Sequence, residues 1–250
     1  QRNALLRGFD NELYGLLELK HSDQGQQNIP NKSLNLSIVL DRSGSMAGQP
    51  LFEAKQAAIM MVNKMRASDQ ISVVAYDDRA DLIVPTTTCD DKQAIIRAIQ
   101  NIYEGSLTNL HGGWIMGAEQ VALKKNVKSI NRVLLLSDGN ANVGLTDINE
   151  LKNQCSRLAE TNITTSTYGL GGSFNEELMV SIAGAGLGHS YYGQTSDDLM
   201  DPFNEEFETL LNTVATDLQV ISEYPGYVDL ELMNNYNVIE NNPNQLRFKM

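Results

Sequence analysis

Short apolar runs alternate with segments of helical periodicity from about Ser33 to Ala215, and this alternation constrains the fold more than any other feature. It predicts a doubly wound α/β domain, with a mainly parallel sheet covered by helices on both sides. The apolar runs ISVVAYD and ADLIVP are separated only by Asp78 and Arg79, a spacing that predicts a hairpin. The sheet is therefore expected to contain one antiparallel edge strand.

The two ends of the chain have a different pattern. Residues 14–20 are strand-like, as are DLQVISEY, YVDLELM and QLRFKM near the other end, whereas the Asn-rich stretch 234–244 is predicted to be a loop. We therefore expect a Rossmann-like α/β domain over 33–217, with a small β-rich module built from both flanks, 1–32 and 218–250. Because the last predicted strand reaches Met250, we expect the natural protein to continue beyond it.

Charge and composition narrow the classes of partner. The chain has 250 residues and a net charge of −12, so nucleic acid and anionic membrane surfaces are poor partners. It has no apolar run of about 18 residues and no signal-peptide pattern, so no membrane insertion is expected and the cellular compartment stays open. Its two cysteines are too few for a disulfide scaffold and are expected to be free thiols. A cation is the better candidate ligand.

Oxygen-bearing side chains follow two strand-like runs and precede one helix. Asp41, Ser43 and Ser45 come after IVL, Thr108 lies just before a helical segment, and Asp138 ends RVLLLSD. Because ligands of open parallel sheets bind beyond the carboxyl ends of the strands, we expect the three loops to converge there. Carboxylate and hydroxyl oxygens, without a cluster of His or Cys, favour Mg²⁺, with Mn²⁺ or Ca²⁺ as alternatives, over zinc.

The charge of this set also predicts how it would bind a partner. Two carboxylates roughly balance a divalent ion, and the hydroxyls are neutral. If one carboxylate contacts the ion only through water, the ion stays underneutralised and attracts a further Asp or Glu carboxylate. A protein partner that supplies such a side chain is therefore the expected ligand.

The same three segments carry a family resemblance. DRSGSM resembles the D-x-S-x-S element of von Willebrand factor A domains, SLTNL their second-loop threonine and LLLSDG their third-loop aspartate. STYGLGGSFNEELMVSIAGAGLGHSYY resembles the branch of bacterial proteins and inter-alpha-trypsin inhibitor heavy chains. By this resemblance the chain is a metal-dependent adhesion or interaction domain, and its last helix, residues 197–215, is the candidate switch element. The resemblance implies that five residues form a metal-ion-dependent adhesion site (MIDAS): Asp41, Ser43, Ser45, Thr108 and Asp138.

Two other functions are kept as alternatives. The domain is a scaffold of a larger protein if the metal serves only stability. It is a hydrolase if Ser43 or Ser45 is a nucleophile with His111 as its base, or a metal-assisted hydrolase if Asp138 acts as the base. However, no G-x-S-x-G elbow is present, and the same oxygens are explained as metal ligands. We therefore expect a protein that is not an enzyme.

Overall fold

The computed structural model describes residues 14–17, 32–127, 129–170, 175–212, 218–233 and 237–249. The chain forms two compact units, residues 1–30 and 31–250. Of the first unit only residues 14–17 are described; they are exposed and form no strand, so this part of the predicted N-terminal strand is wrong, and residues 18–20 lie outside the described residues.

A six-stranded sheet forms the centre of the second unit, in the order β3-β2-β1-β4-β5-β6. Neighbouring strands are parallel except for the hairpin partners β2 and β3, as predicted, and β3 lies at the edge. The strands are β1 (Ser33–Asp41), β2 (Gln70–Tyr76), β3 (Ala80–Thr88), β4 (Ser129–Ser137), β5 (Thr164–Leu170) and β6 (Ser190–Gly193).

Apart from the β2–β3 hairpin, helices connect these strands, and none among the described residues is both long and apolar enough to span a bilayer. Polar residues begin four of them: the side chains of Asp91, Asn109, Asp147 and Asn175 each accept the backbone N–H three residues on. The helices are α1 (Gln49–Lys64), α2 (Lys92–Gln100), α3 (Leu110–Leu123), α4 (Ile148–Glu160), α5 (Glu176–Ala185) and α6 (Ser196–Asn212).

Two apolar layers cover the sheet. Leu36, Ile38 and Leu40 of β1 belong to the layer that contains α1, α2 and α6. Val39, between them in the sequence, belongs to the other layer with Trp114 of α3. Both faces of β1 are buried, and its continuous apolar stretch, Ile38, Val39 and Leu40, is followed directly by the carboxylate of Asp41.

Helix α6 is held to the sheet by a buried ionic cluster in addition to apolar contacts. Glu206 forms an ion pair with Arg132 of β4 and accepts hydrogen bonds from Ser166 and Tyr168 of β5. Arg132 also donates to Thr164 Oγ1 at 2.9 Å. Sequence periodicity predicts the apolar face of α6, whose described members are buried, but not a carboxylate among them.

A second, three-stranded antiparallel sheet has the order β7-β9-β8, with β7 (Gln219–Glu223), β8 (Asn237–Asn242) and β9 (Gln245–Lys249). β7 and β9 were expected as strands, but two predictions are wrong. Residues 227–233 form no strand, and the Asn-rich stretch contains β8. β8 pairs with β9 across the turn at Pro243 and Asn244, and this pairing outweighs the weak strand propensity of asparagine.

Helix α3 contacts the sheet so closely that a methyl group does not fit at Gly117. A Cβ there would lie 2.4 Å from Val39 Cγ2 and 3.1 Å from Ser37 Oγ, both on the central strand β1. Gly117→Ala should therefore lower the free energy of unfolding by about 1–3 kcal/mol through overpacking. Gly184→Ala on α5 is the matched control, because nothing lies within 4 Å of its added methyl. In urea unfolding, Gly184→Ala should raise the free energy of unfolding by about 0.5–1 kcal/mol, because alanine favours the helix over glycine. Equal changes in the free energy of unfolding in the two variants would contradict the close packing of Gly117 against β1.

Candidate functional site

The site lies at the carboxyl ends of β1 and β4, between the two strands at which the strand order reverses. From β1 the chain continues to β2 on one side, whereas from β4 it continues to β5 and β6 on the other. β1 and β4 are parallel neighbours, with Leu40 opposite Leu136. Their carboxyl ends therefore open a crevice at the topological switch point, where open α/β sheets bind ligands. Asp41 ends β1, and Asp138 follows directly after β4.

The first loop turns sharply after Asp41. Gly44–Met46 form a short 3₁₀ helix, and the hydroxyls of Ser43 and Ser45 are 3.2 Å apart. Ser43 is buried, whereas Ser45 is exposed. The turn thus brings the hydroxyl of the buried Ser43 and that of the exposed Ser45 close together.

Backbone hydrogen bonds join the first loop to the second. Gly44 N–H donates to Ser106 O at 2.7 Å, and Gly105 N–H donates to Arg42 O at 2.6 Å. A Cβ at Gly105 would lie 2.0 Å from Asp77 Oδ2, so only glycine permits this approach. The second loop therefore has a fixed position beside the serines.

The second loop is joined in turn to the third around Thr108. Thr108 N–H donates to Asn142 Oδ1 at 2.9 Å, while Thr108 O accepts the backbone N–H groups of Asn142 and Val143, both at 3.1 Å. Thr108 is buried. All five predicted residues thus lie on three mutually hydrogen-bonded loops at one edge of the sheet.

The carboxylate of Asp41 is completely buried, and both of its oxygens accept hydrogen bonds from the protein. Its Oδ1 accepts Ser43 N–H at 2.9 Å, and its Oδ2 accepts Ser137 Oγ at 2.6 Å and Tyr76 Oη at 3.1 Å. Burial nevertheless raises the pKa of Asp41, with a smaller contribution from the negative charge of Asp138. Burial also raises the pKa of Tyr76 well above its ordinary value, so this phenol remains a donor.

Asp138 differs from Asp41 in one respect that matters for ligand binding. Its Oδ1 accepts Asn140 N–H at 3.0 Å, whereas its buried Oδ2 has no hydrogen-bond partner among the described residues. A buried carboxylate oxygen without a donor is costly and calls for a cation or another ligand.

The donor chemistry fits a hard divalent ion. Among the described residues no three His, Cys, Asp or Glu side chains are grouped as a metal site, so any cation here depends on the hydroxyls as well as on the two acids. Carboxylate and hydroxyl oxygens with water are typical of Mg²⁺ and Mn²⁺.

Sequence reasoning missed the groups that hold Asp41 and Thr108. In the sequence, Tyr76 is indistinguishable from a core aromatic residue at the end of β2, and Asn142 is indistinguishable from any other loop asparagine. Both become recognisable only once the strand order places them beside the site. His111, the candidate base of the hydrolase alternative, bonds through Nε2 to Gln154 Oε1 at 2.8 Å.

The fold and the crevice define a Rossmann-like α/β domain with an oxygen-lined site at the strands' carboxyl edge. The sequence profile of the von Willebrand factor type A domain matches residues 35–205, more than half of the chain. The chain therefore belongs to the von Willebrand factor type A domain family.

A bacterial protein and an inter-alpha-trypsin inhibitor heavy chain, the two kinds of protein in the predicted branch, are among the relatives. The uncharacterized protein YfbK of Escherichia coli K12 is 31% identical over 216 residues, covering 85% of this chain and 37% of that protein. Inter-alpha-trypsin inhibitor heavy chain H3 of Mus musculus is 23% identical over 220 residues, covering 84% of this chain and 24% of that protein. The chain thus spans less than half the length of these relatives.

Solved structures share the fold. A von Willebrand factor type A protein from Catenulispora acidiphila superposes with a TM-score of 0.64 at 18% identity, covering 87% of this chain and 54% of that one. Proximal thread matrix protein 1 from the mussel byssus, solved with zinc in its MIDAS motif, superposes with a TM-score of 0.58 at 16% identity, covering 77% and 50%. At these identities the likeness concerns the fold.

The raised pKa of Asp41 makes the stability of the metal-free protein depend on pH. In the unfolded chain the Asp41 carboxyl has its ordinary pKa of 3.8, so it loses its proton at a lower pH than in the folded protein. The free energy of unfolding therefore falls as the pH rises from about 3.8, until the pH exceeds the pKa of Asp41 in the folded protein. Asp41→Asn removes the titration. The free energy of unfolding of the wild type should therefore fall relative to the variant over this range, by about 1.4 kcal/mol per unit of pKa difference. Urea unfolding in chelator-treated buffers between about pH 3.5 and pH 7 measures it.

Asp90→Asn supplies a control of opposite sign. A hydrogen bond from the Thr88 hydroxyl lowers the pKa of Asp90, so its contribution is present above its ordinary pKa and is lost as the pH falls. The wild type should gain stability relative to this variant as the pH rises. If the difference in the free energy of unfolding between wild type and variant changed with pH in the same direction for both variants, the raised pKa of Asp41 would be contradicted.

Proposed function

We propose that the chain is a metal-dependent protein-binding domain. Asp41, Ser43, Ser45, Thr108 and Asp138 bind a divalent ion, with Mg²⁺ as the first choice and Mn²⁺ or Ca²⁺ as alternatives. The ion in turn binds an Asp or Glu carboxylate of a protein partner. The observation that carries the proposal is the buried, unpaired Oδ2 of Asp138 in a crevice formed by two acids and three hydroxyls.

The charge distribution favours an ion that still attracts anions. Asp41 already accepts three hydrogen bonds from the protein, which reduces the negative charge it offers to an ion. Ser43, Ser45 and Thr108 contribute no formal charge. A divalent ion held mainly by Asp138 and neutral oxygens therefore keeps positive charge to attract a carboxylate.

Exposure indicates the direction from which a partner would approach. Ser45 is exposed, whereas the other four residues of the set are buried. An ion in the crevice would therefore be reached from the side of Ser45, and a partner's side chain would enter there.

The family supports the same function. Von Willebrand factor type A domains are mainly interaction and adhesion modules, and the inter-alpha-trypsin inhibitor heavy chains are among the relatives of this chain. The mussel byssus protein of the same fold holds zinc in its MIDAS motif. For the present chain the hydroxyl-rich donor set favours Mg²⁺ over zinc.

The scaffold alternative, in which the metal serves stability alone, is less well supported. Protein hydrogen bonds already satisfy Asp41 and hold the three loops together, so the loops do not depend on an ion for their positions. In the hydrolase alternative, one of the two candidate bases, His111, has its Nε2 engaged by Gln154, and the other, Asp138, is explained as a metal ligand. Protein binding through the ion is the function that these contacts favour.

Isothermal titration calorimetry with MgCl₂ tests the metal site. Asp138→Asn should lose measurable Mg²⁺ binding, because it removes the unpaired anionic oxygen. Ser45→Ala should weaken binding by about tenfold, because it removes one oxygen donor. Ser106→Ala is the matched control: Ser106 is also an exposed hydroxyl residue, on the neighbouring loop, and its contact with Gly44 is made by its backbone carbonyl.

The two serine variants separate ligand loss from general disturbance of the loops. Ser106→Ala should bind Mg²⁺ as the wild type does. Equal Mg²⁺ affinity in the wild type and Asp138→Asn would refute the site, and equal losses in Ser45→Ala and Ser106→Ala would refute the role of Ser45.

The open coordination position is tested with Mn²⁺ as the ion and acetate as the carboxylate. Mn²⁺ bound to the protein should enhance the relaxation of water protons, because water occupies the positions that the protein leaves open. Sodium acetate should reduce this enhancement by displacing that water, whereas sodium chloride of equal ionic strength should not. A titration without protein corrects for acetate binding to free Mn²⁺. An enhancement unaffected by acetate would mean a saturated ion and would favour the scaffold function instead.

A further inference from the structure

We propose that Arg42 is a positioning residue of the metal site, whose side chain fixes the first loop against the turn between β2 and β3. The inference rests on the proposed function, because the quantity it controls is the affinity of the site for the ion. Arg42 lies between two proposed ligands, Asp41 and Ser43, but its side chain is directed to acids outside the ligand set.

The guanidinium of Arg42 contacts two carboxylates at once. Its Nε donates to Asp77 Oδ2 at 3.2 Å, and its Nη2 donates to Asp81 Oδ2 at 2.5 Å. The side chains of Arg42 and Asp77 are only 14% and 10% exposed, so this pairing is shielded from water. A planar guanidinium that bridges two acids has little freedom to rotate.

The backbone of the same residues connects all the parts that must stay aligned. Arg42 N–H donates to Tyr76 O at 2.9 Å, and Arg42 O accepts Gly105 N–H from the second loop. Asp77 O accepts Asn109 N–H at 2.6 Å, next to Thr108. Arg42 and Asp77 thus join the first loop, the end of β2 and the second loop, and their side chains join each other.

Hydrogen bonds favour the charged forms of both Arg42 and Asp77 in the folded protein. Burial opposes the charge of Arg42, but its hydrogen bonds with Asp77 and Asp81 outweigh this and raise its pKa. Burial likewise opposes ionisation of Asp77, yet hydrogen bonds from Arg79 N–H and Arg42 lower the pKa of this acid. The acids therefore neutralise a positive charge that would otherwise repel a cation.

The electrostatic effect of Arg42 and its positioning effect predict opposite changes in Mg²⁺ affinity for the substitution Arg42→Gln. Arg42→Gln removes a positive charge beside a cation site, so electrostatics alone predicts tighter Mg²⁺ binding. It also releases the first loop from Asp77 and Asp81, so loss of positioning predicts weaker binding. The direction of the change in affinity decides between the two effects.

The experiment compares Mg²⁺ affinities by calorimetry in the wild type, Arg42→Gln, Arg42→Lys and Arg79→Gln. We expect Arg42→Gln to bind about tenfold more weakly, as is usual when a residue that supports metal ligands is removed. Arg42→Lys keeps the charge and can reach one acid, so it should restore part of the affinity. Arg79→Gln removes the same charge from the same cluster, but Arg79 is 75% exposed and its Nε lies 3.5 Å from Asp81. Its affinity should stay within about twofold of the wild type.

Equal or tighter Mg²⁺ binding by Arg42→Gln would overturn the proposal, and so would an equal loss in Arg79→Gln. Amide hydrogen exchange of the metal-free protein gives a readout that does not depend on ion binding. Arg42→Gln should speed exchange at Gly44 and Gly105, whereas the amides of β1 and the Arg79→Gln control should stay unchanged. If the wild type binds no Mg²⁺, the proposed function fails, and faster loop exchange still supports the positioning role; unchanged exchange refutes that role in either case.

Discussion

The hydrogen bond from Ser137 Oγ to Asp41 Oδ2, 2.6 Å long, joins the carboxyl ends of β1 and β4 at the point on which the site depends. These two strands are neighbours in the sheet although 96 residues separate the bonded side chains. Their parallel pairing brings the first and third loops together, and the second loop is hydrogen-bonded to both. The functional arrangement is therefore a consequence of strand order, with each loop needing only a short turn to reach its place.

The two carboxylates of the site, Asp41 and Asp138, differ in how many of their oxygens are already hydrogen-bonded within the protein. Asp41 is satisfied by a backbone amide, a serine and a tyrosine, so it maintains the arrangement of the loops whether or not an ion is bound. Asp138 keeps one oxygen without a donor and is the group that gains most from a cation. This division explains how a site can be built in advance and still have a strong electrostatic reason to bind.

Most of the α/β fold could be predicted from sequence, because fully buried strands and amphipathic helices leave clear periodic patterns. The ligand set could be proposed because D-x-S-x-S, a threonine and a strand-end aspartate resemble a known family pattern. The residues that support the set could not: Tyr76 looks like a core aromatic, and its hydroxyl matters only because β2 lies beside β1. The strand β8 was missed because its pairing with β9, rather than its own asparagines, stabilises it.

Glu206 gives α6 a defined register on the sheet. Its carboxylate meets Arg132, Ser166 and Tyr168, which lie on two different strands, so a shift of the helix along its axis breaks all three contacts together. A slide of one helical turn, about 5.4 Å, would bring Pro202 or Leu210 opposite Arg132, and neither side chain accepts a hydrogen bond. These contacts favour one position of α6 on the sheet, and intermediate positions leave the buried guanidinium of Arg132 without its partner. Any displacement of α6 would accordingly be a cooperative, two-state event instead of a gradual drift.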